Sequence, residues 1–211
     1  GIIGFSNLLL GSELTYIQKQ HLETVNQSAS SLLDVVNDIL DISKIEAGKL
    51  TINKEKTSLH AVINQCIGMM KFMAHQKNLE LIVNIHKNVH CAVWVDEIRL
   101  KQILQNLLNN AIKFTIKGEI ELEVTSTPIN KNSSKIKFSV KDTGIGIKKG
   151  SKEKILEAFT QEDSSTTRNY GGTGLGLTIT NSLLKLMDSK LDIESEPNKG
   201  SIFSFELELK S

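Results

Sequence analysis

Glycine recurs through the run GGTGLGL at residues 171–177, which holds Gly172, Thr173, Gly174, Leu175, Gly176 and Leu177 and leads directly into an apolar-periodic segment. A glycine-rich turn opening into a helix can hold phosphate. Bare backbone approaches an anion closely, and the first helical turn offers unpaired N–H donors and the positive end of its dipole. The same pattern also makes a plain tight corner, so the reading depends on its company. One companion is Asp142, which opens DTGIGI and is followed by Gly144, Gly146 and Ile147. An acid placed before bare backbone can accept a hydrogen bond from a ligand lying there, although Asp also initiates ordinary turns. The other companion is a cluster of amides. Asn106 and Asn110 sit inside a helical pattern that asparagine disfavours, and at about 100° per residue they fall within about 60° of Lys113. Beside them runs an apolar stripe from Leu100 to Phe114 through Ile103, Leu104, Leu107, Leu108 and Ala111. Two amides and an ammonium there could serve Mg²⁺ and nucleotide phosphates, because Mg²⁺ takes oxygen ligands and retains waters. A solvated face would more readily use Glu and Lys.

Two better-known phosphate motifs are excluded. A dinucleotide fold needs GxGxxG, but Lys149 and Leu177 stand three places beyond Gly146 and Gly174. No glycine run continues into Lys and then Ser or Thr, as a P-loop requires. The chain has 211 residues, 39% of them apolar and 23% charged, which suits one or two globular domains. A net charge of +1 argues against a nucleic-acid or membrane-binding surface. The two cysteines, Cys66 and Cys91, form no disulfide framework or metal spacing, which fits a reducing, cytoplasmic setting. No apolar run is long enough to span a bilayer, so membrane attachment is expected only through segments absent here. A start at Gly1, inside an apolar pattern, reads as a fragment of something longer.

The elements that must position these residues fall in two parts, expected at 1–48 and 49–211. Residues 1–10 read as a helix end, and Gly11 followed by Ser12, Glu13, Leu14 and Thr15 as a stop and restart. In the second helix, positions 14, 18, 21, 25, 28, 32, 35, 39 and 42 form a bundle seam, widened by a stripe through Leu22, Ala29, Leu33, Val36 and Leu40. Two such hairpins would bury both stripes in a four-helix bundle, with His21 as a polar register residue. Beyond residue 48, strands are expected at 49–55, 79–86, 119–126, 136–140, 190–194 and 202–209, with a polar turn at 128–134. Helices are expected at 59–77, from the Asp96 cap to 114, at 152–159 and at 178–187. The fold class is α+β: a helical hairpin, then a mainly antiparallel sheet with helices on one face.

The order NLLNNAIKFT (106–115), DTGIGI (142–147) and EAFTQEDSSTTRNYGGTGLGL (157–177) closely resembles the N, G1, F and G2 boxes of sensor histidine kinases. NDILDISKIEAGKL at 37–50 resembles the end of their second dimerisation helix, so the resemblance covers essentially the whole chain. The wording of 160–177 resembles hybrid kinases that carry receiver domains. The resemblance implies a gyrase-like fold binding ATP and Mg²⁺, with Asn110 ligating the metal and Asn106 and Lys113 near metal and phosphates. It implies that Asp142 accepts from the adenine amine, and that Gly144, Gly146 and Ile147 shape the base pocket. Phe159 would anchor a lid at 161–170, Arg168 would reach phosphate, and Gly172 to Leu177 would close on the triphosphate. Related gyrase-type ATPases have a glutamate where this chain has Asn106, which fits transfer to histidine rather than hydrolysis.

One feature of the family is missing. The phosphoacceptor lies in a His-Glu-x-x-x-Pro motif, and none of His21, His60, His75, His86 and His90 has those surroundings. The acceptor is therefore expected upstream of Gly1, leaving no catalytic residue in this chain. The partners implied are a second copy through the hairpin and a receiver domain, with no nucleic acid. The leading reading is the ATP-binding catalytic part of a hybrid sensor histidine kinase. A nucleotide-binding regulatory module without turnover and a gyrase-like ATPase remain open beside it.

Overall fold

A computed structural model of the chain describes residues 1–148, 150–151, 154–156 and 174–210. It divides into two compact units, Gly1–Leu50 and Thr51–Ser211.

In the first unit α1 (Ile2–Leu10) stops at Gly11 and α2 (Tyr16–Glu46) runs for 31 residues. Thr15 starts α2 with a reciprocal capping box: its Oγ1 accepts from the Gln18 amide at 3.3 Å, and its own N–H donates to Gln18 Oε1 at 2.9 Å. Two orphan donors are thereby satisfied. The seam residues are left uncovered. α2 has no buried residue, and Val25, Leu32, Leu33, Val36, Ile39 and Leu40 are all exposed, as are Phe5 and Leu8 of α1.

In the second unit β1 (Glu55–Ser58) pairs antiparallel with β3 (Ala92–Val95). A five-stranded sheet follows the order β2 (Glu80–Ile85), β4 (Glu119–Asn130), β5 (Ser133–Asp142), β7 (Gly200–Lys210) and β6 (Asp192–Glu196). Only the β2–β4 pair is parallel. Alternation is regular along β4 and along β5 from Lys135, and is interrupted in β7 by the buried Ser204. Ile120, Leu122 and Val124 of β4, Ile136, Phe138 and Val140 of β5, and Phe203, Phe205 and Leu207 of β7 are buried. Phe138 and Phe205 are register partners whose rings stack 4.9 Å apart. The opposite face is charged, with Lys135 paired to Glu206 at 3.4 Å. Helices α3 (Leu59–Gln76), α4 (Glu97–Phe114) and α5 (Gly176–Leu186) cover the apolar face, α4 lying between the other two and against β4 and β5. Leu100, Ile103, Leu104, Leu107 and Leu108 of α4 are fully buried, as their stripe requires.

Several bounds differ from the sequence reading: the strand Ala92–Val95 is an addition to it, β6 is Asp192–Glu196 rather than 190–194, and β5 and β7 are longer than expected. The first strand is Glu55–Ser58 rather than 49–55, because its register is set by Ala92–Val95, a strand too short to show alternation. The backbone amide of Asn53 instead donates to Asp96 Oδ2 at 2.8 Å, so the acid that caps α4 also holds the approach to β1. The expected turn at 128–134 is mostly strand: the β4–β5 ladder runs through Pro128, with an irregularity before Asn130. Proline is tolerated there because β2 ends opposite Val124, leaving that side of β4 at an edge. α5 begins at Gly176, two residues earlier than Thr178, inside the glycine run itself. Of the helix expected at 152–159 only a single 3₁₀ turn, Lys154–Leu156, lies within the described residues.

Candidate functional site

Asp142 ends β5 with its carboxyl buried, only 5% of the residue being exposed. Its Oδ1 accepts the Gly144 amide at 2.8 Å. Burial pushes the carboxyl above its ordinary 3.8, while the amides of Gly144 and Ser201 pull part of the way back by favouring the charged form. The glycines of this loop clear space first for the protein's own backbone. A Cβ on Gly144 would stand 2.4 Å from the Phe114 carbonyl oxygen, where α4 ends. Gly146 has φ +66°, and a Cβ there would lie 2.1 Å from the carbonyl oxygen of Glu196. Ile147 is nearly buried beside them.

Asn106 brings two of the three segments together. Its Nδ2 donates to the Gly176 carbonyl at 3.1 Å and to Thr180 Oγ1 at 3.4 Å, so α4 is tied to the first turn of α5. A carbonyl can only accept, which fixes the amide nitrogen on that side and turns Oδ1 the other way. Asn110 follows one helical turn later, half-buried, with no hydrogen-bond partner among the described residues. Lys113 is half-buried, its ammonium 4.7 Å from the Phe114 ring centroid, and burial lowers its pKa. Lys77 donates to the carbonyls of Ile112 and Lys113 at 2.8 and 3.2 Å, satisfying acceptors that α4 leaves open at its end.

At the glycine run Gly174 has φ +73°, Leu175 is fully buried and Leu177 half-buried, and among the described residues no side-chain hydrogen bond from the N-cap position starts α5. A helix N-terminus of this kind can receive an anion. Phe159, Arg168, Gly172, Thr173 and the lid expected at 161–170 lie outside the described residues. Among the described residues no group of three His, Cys, Asp or Glu could hold a metal. The amide oxygen of Asn110 could offer Mg²⁺ one ligand, since that cation completes its shell with phosphate oxygens and waters.

A family model described as "Histidine kinase-, DNA gyrase B-, and HSP90-like ATPase" matches residues 95–211, which hold all three segments. The chain belongs to this family. A second model, "His Kinase A (phospho-acceptor) domain", matches residues 1–48. Signal transduction histidine-protein kinase BarA of Escherichia coli is 41% identical over 209 residues, covering 99% of this chain and 23% of that protein. Hybrid signal transduction histidine kinase L of Dictyostelium discoideum is also 41% identical, over 99% of this chain and 12% of that one. The chain thus spans less than a quarter of the length of these relatives. Among solved structures, full-length ShkA in complex with AMPPNP matches the whole chain and 42% of its own, with a TM-score of 0.81 and 30% identity. The Acinetobacter baumannii histidine kinase AdeS, at 19% identity and a TM-score of 0.67, shares the fold over 98% of this chain and 92% of its own.

Sequence reasoning missed three contributors to the candidate site. Thr180, fully buried, receives the Asn106 amide, and Ser195 and Asn198 contact the loop after Asp142. Only the asparagine inside a helix hinted that something must receive it. The serine and asparagine contacts cross about fifty positions and leave no local trace.

Proposed function

We propose that this chain is the dimerisation hairpin and ATP-binding catalytic part of a hybrid sensor histidine kinase, moving the γ-phosphoryl of Mg-ATP to a histidine for relay to a receiver aspartate. The observation that carries the reading is the joint made by Asn106, whose amide ties the helix bearing Asn110 and Lys113 to the glycine-rich start of α5.

Asp142 would accept the adenine amine, and the first-turn amides of α5 would receive phosphate oxygens. Mg²⁺, when bound, would neutralise charge on the phosphates, and Asn110 would offer it the amide oxygen. Lys113, with its ammonium part-way out of water, would stand ready to approach phosphate. Asn106 supplies no base to deprotonate water, so the bond to the leaving oxygen breaks in favour of an incoming imidazole nitrogen.

The hairpin's two exposed stripes fit a second copy, closing a four-helix bundle. A cytoplasmic setting suits ATP as substrate and the two free thiols, Cys66 and Cys91. No described helix is long and apolar enough to cross a membrane. We place the acceptor outside the five histidines present. The ring of His86 lies 3.1 Å from Glu123 on the charged sheet face, and none of the five has the acceptor motif.

Calorimetric titration with Mg-ATP, followed by incubation with γ-labelled ATP and a supplied acceptor helix, tests the proposal. Binding with acid-labile label on the supplied helix is expected; steady hydrolysis without transfer would favour a gyrase-like ATPase, and binding with neither would favour a regulatory module. A second expectation concerns Asn110→Ala, which should weaken Mg-ATP about tenfold while leaving metal-free nucleotide nearly unchanged. An equal loss with and without Mg²⁺ would make Asn110 structural.

A further inference from the structure

The loop after Asp142 is held from outside by the turn between β6 and β7. Ile147 donates its backbone N–H to Ser195 Oγ at 2.8 Å, and the same hydroxyl lies 2.9 Å from the Gly200 carbonyl oxygen and 3.0 Å from Ser201 Oγ. A serine hydroxyl has one proton and two lone pairs. With its proton on the Gly200 carbonyl, it accepts from the Ile147 amide and from the Ser201 hydroxyl, and its capacity is full. Two more contacts bring the same turn onto the same loop. The Asn198 amide donates to the Ile145 carbonyl at 2.7 Å, and Gly146 passes so close to Glu196 that no side chain fits. Gly200 in turn passes Asp142 so closely that a Cβ would stand 1.9 Å from the Asp142 carbonyl oxygen.

The loop therefore has one end fixed by the sheet, at Asp142, while Asn198 and Phe114 hold Ile145 and the Ser195 hydroxyl holds Ile147. Nothing in β6 needs a hydroxyl at position 195 for its ladder, since strand pairing uses backbone groups alone. The hydroxyl's work is on Ile147.

We infer that Ser195 is a positioning residue for nucleobase recognition: through the Ile147 amide it sets the place of the DTGIGI loop, and so the discrimination of ATP from nucleotides lacking the adenine amine, without touching the nucleotide. The inference rests on the reading of Asp142 as the acceptor of that amine. Inosine triphosphate is the suited probe, because it carries a carbonyl where adenine carries the amine.

The test measures Kd for Mg-ATP and for magnesium inosine triphosphate, by competition against a fluorescent ADP analogue, in the chain and in Ser195→Ala, Ser195→Cys, Ser195→Thr and Asp142→Ala, with thermal melting of each. Ser195→Ala orphans the Ile147 amide and should lower the preference for ATP about tenfold. Ser195→Cys, a weak acceptor of similar size, should lower it part-way, and Ser195→Thr, which keeps the hydroxyl, should restore it. The cysteine variant carries the test if the alanine variant does not fold. A fall in melting temperature with the preference unchanged would make Ser195 merely structural and overturn the inference. If Asp142→Ala abolishes the preference while the serine variants keep it, this inference alone falls. If Asp142→Ala keeps it, the reading of Asp142 falls as well.

Discussion

Asp142→Ala is expected to lose about 1.5 to 3 kcal/mol of ATP affinity, roughly ten- to more than a hundredfold in Kd, because the adenine amine loses a charged, buried acceptor. Selectivity should fall with affinity, since the carboxylate also repels the carbonyl that guanine presents where adenine has its amine. The acidity of this group adds a second signature. Burial raises its pKa above 3.8, and only the ionised form accepts without competing for the proton. Affinity should therefore be full above the raised pKa and fall as pH drops through it, at a higher pH than for an unperturbed aspartate. Asp142→Asn should lack that step. The stability of the empty domain runs the opposite way. The folded state holds the proton more tightly than the unfolded one, so stability from this group is present at low pH and lost as pH rises through the folded pKa. Calorimetry across pH on the chain and both variants checks all three statements. Unchanged ATP affinity in Asp142→Ala would remove the residue from the site.

The second large effect is expected from Asn106→Asp, which looks like the shortest route to an ATPase because it installs a carboxylate beside the phosphates. The structure argues for the reverse outcome. The Asn106 amide nitrogen lies 3.1 Å from the Gly176 carbonyl, and an aspartate would set oxygen against oxygen there in a half-buried place. The side chain must turn away or strain the joint, and α4 is no longer tied to the start of α5. A carboxylate held there against a carbonyl oxygen, without the N–H that Asn106 supplies, destabilises the joint. Nucleotide binding should be lost, hydrolysis should stay at background, and the melting temperature should drop. Single-turnover hydrolysis together with melting decides. A variant that binds ATP normally and hydrolyses it would refute the role of Asn106 as a tie. The amide is thus chosen for its N–H as much as for the base it fails to be.

Much of this was legible in the sequence where the physics is local. The Asp96 cap, the stripe of α4 and the alternation of β4, β5 and β7 are periodic signals, and each lies where its period puts it. The amide face of Asn106 and Asn110 was readable because asparagine works against a helix unless something compensates. The pairing of β1 with β3 was not, since four-residue strands show too little alternation and their register comes from the partner. Nor was the role of the glycines after Asp142. A sequence shows that backbone must come close to something, and here that something is the carbonyl of Phe114 on one side and of Glu196 on the other. The grip of Ser195 on Ile147 joins positions 48 apart and is visible only once β6 lies beside β7.

α2 has 31 residues and buries none of them, whereas the sheet and helices beyond Leu50 enclose a core of their own. The two units should not melt together. A helix pair without a core is stable only to the extent that another copy covers it, so its transition is set by mass action and should climb with protein concentration. The transition of the second unit should stay where it is when the sample is diluted, and move only when nucleotide is added. A calorimetric scan at two concentrations, with and without Mg-ATP, would then show two peaks that answer to different variables, one to association and one to ligand.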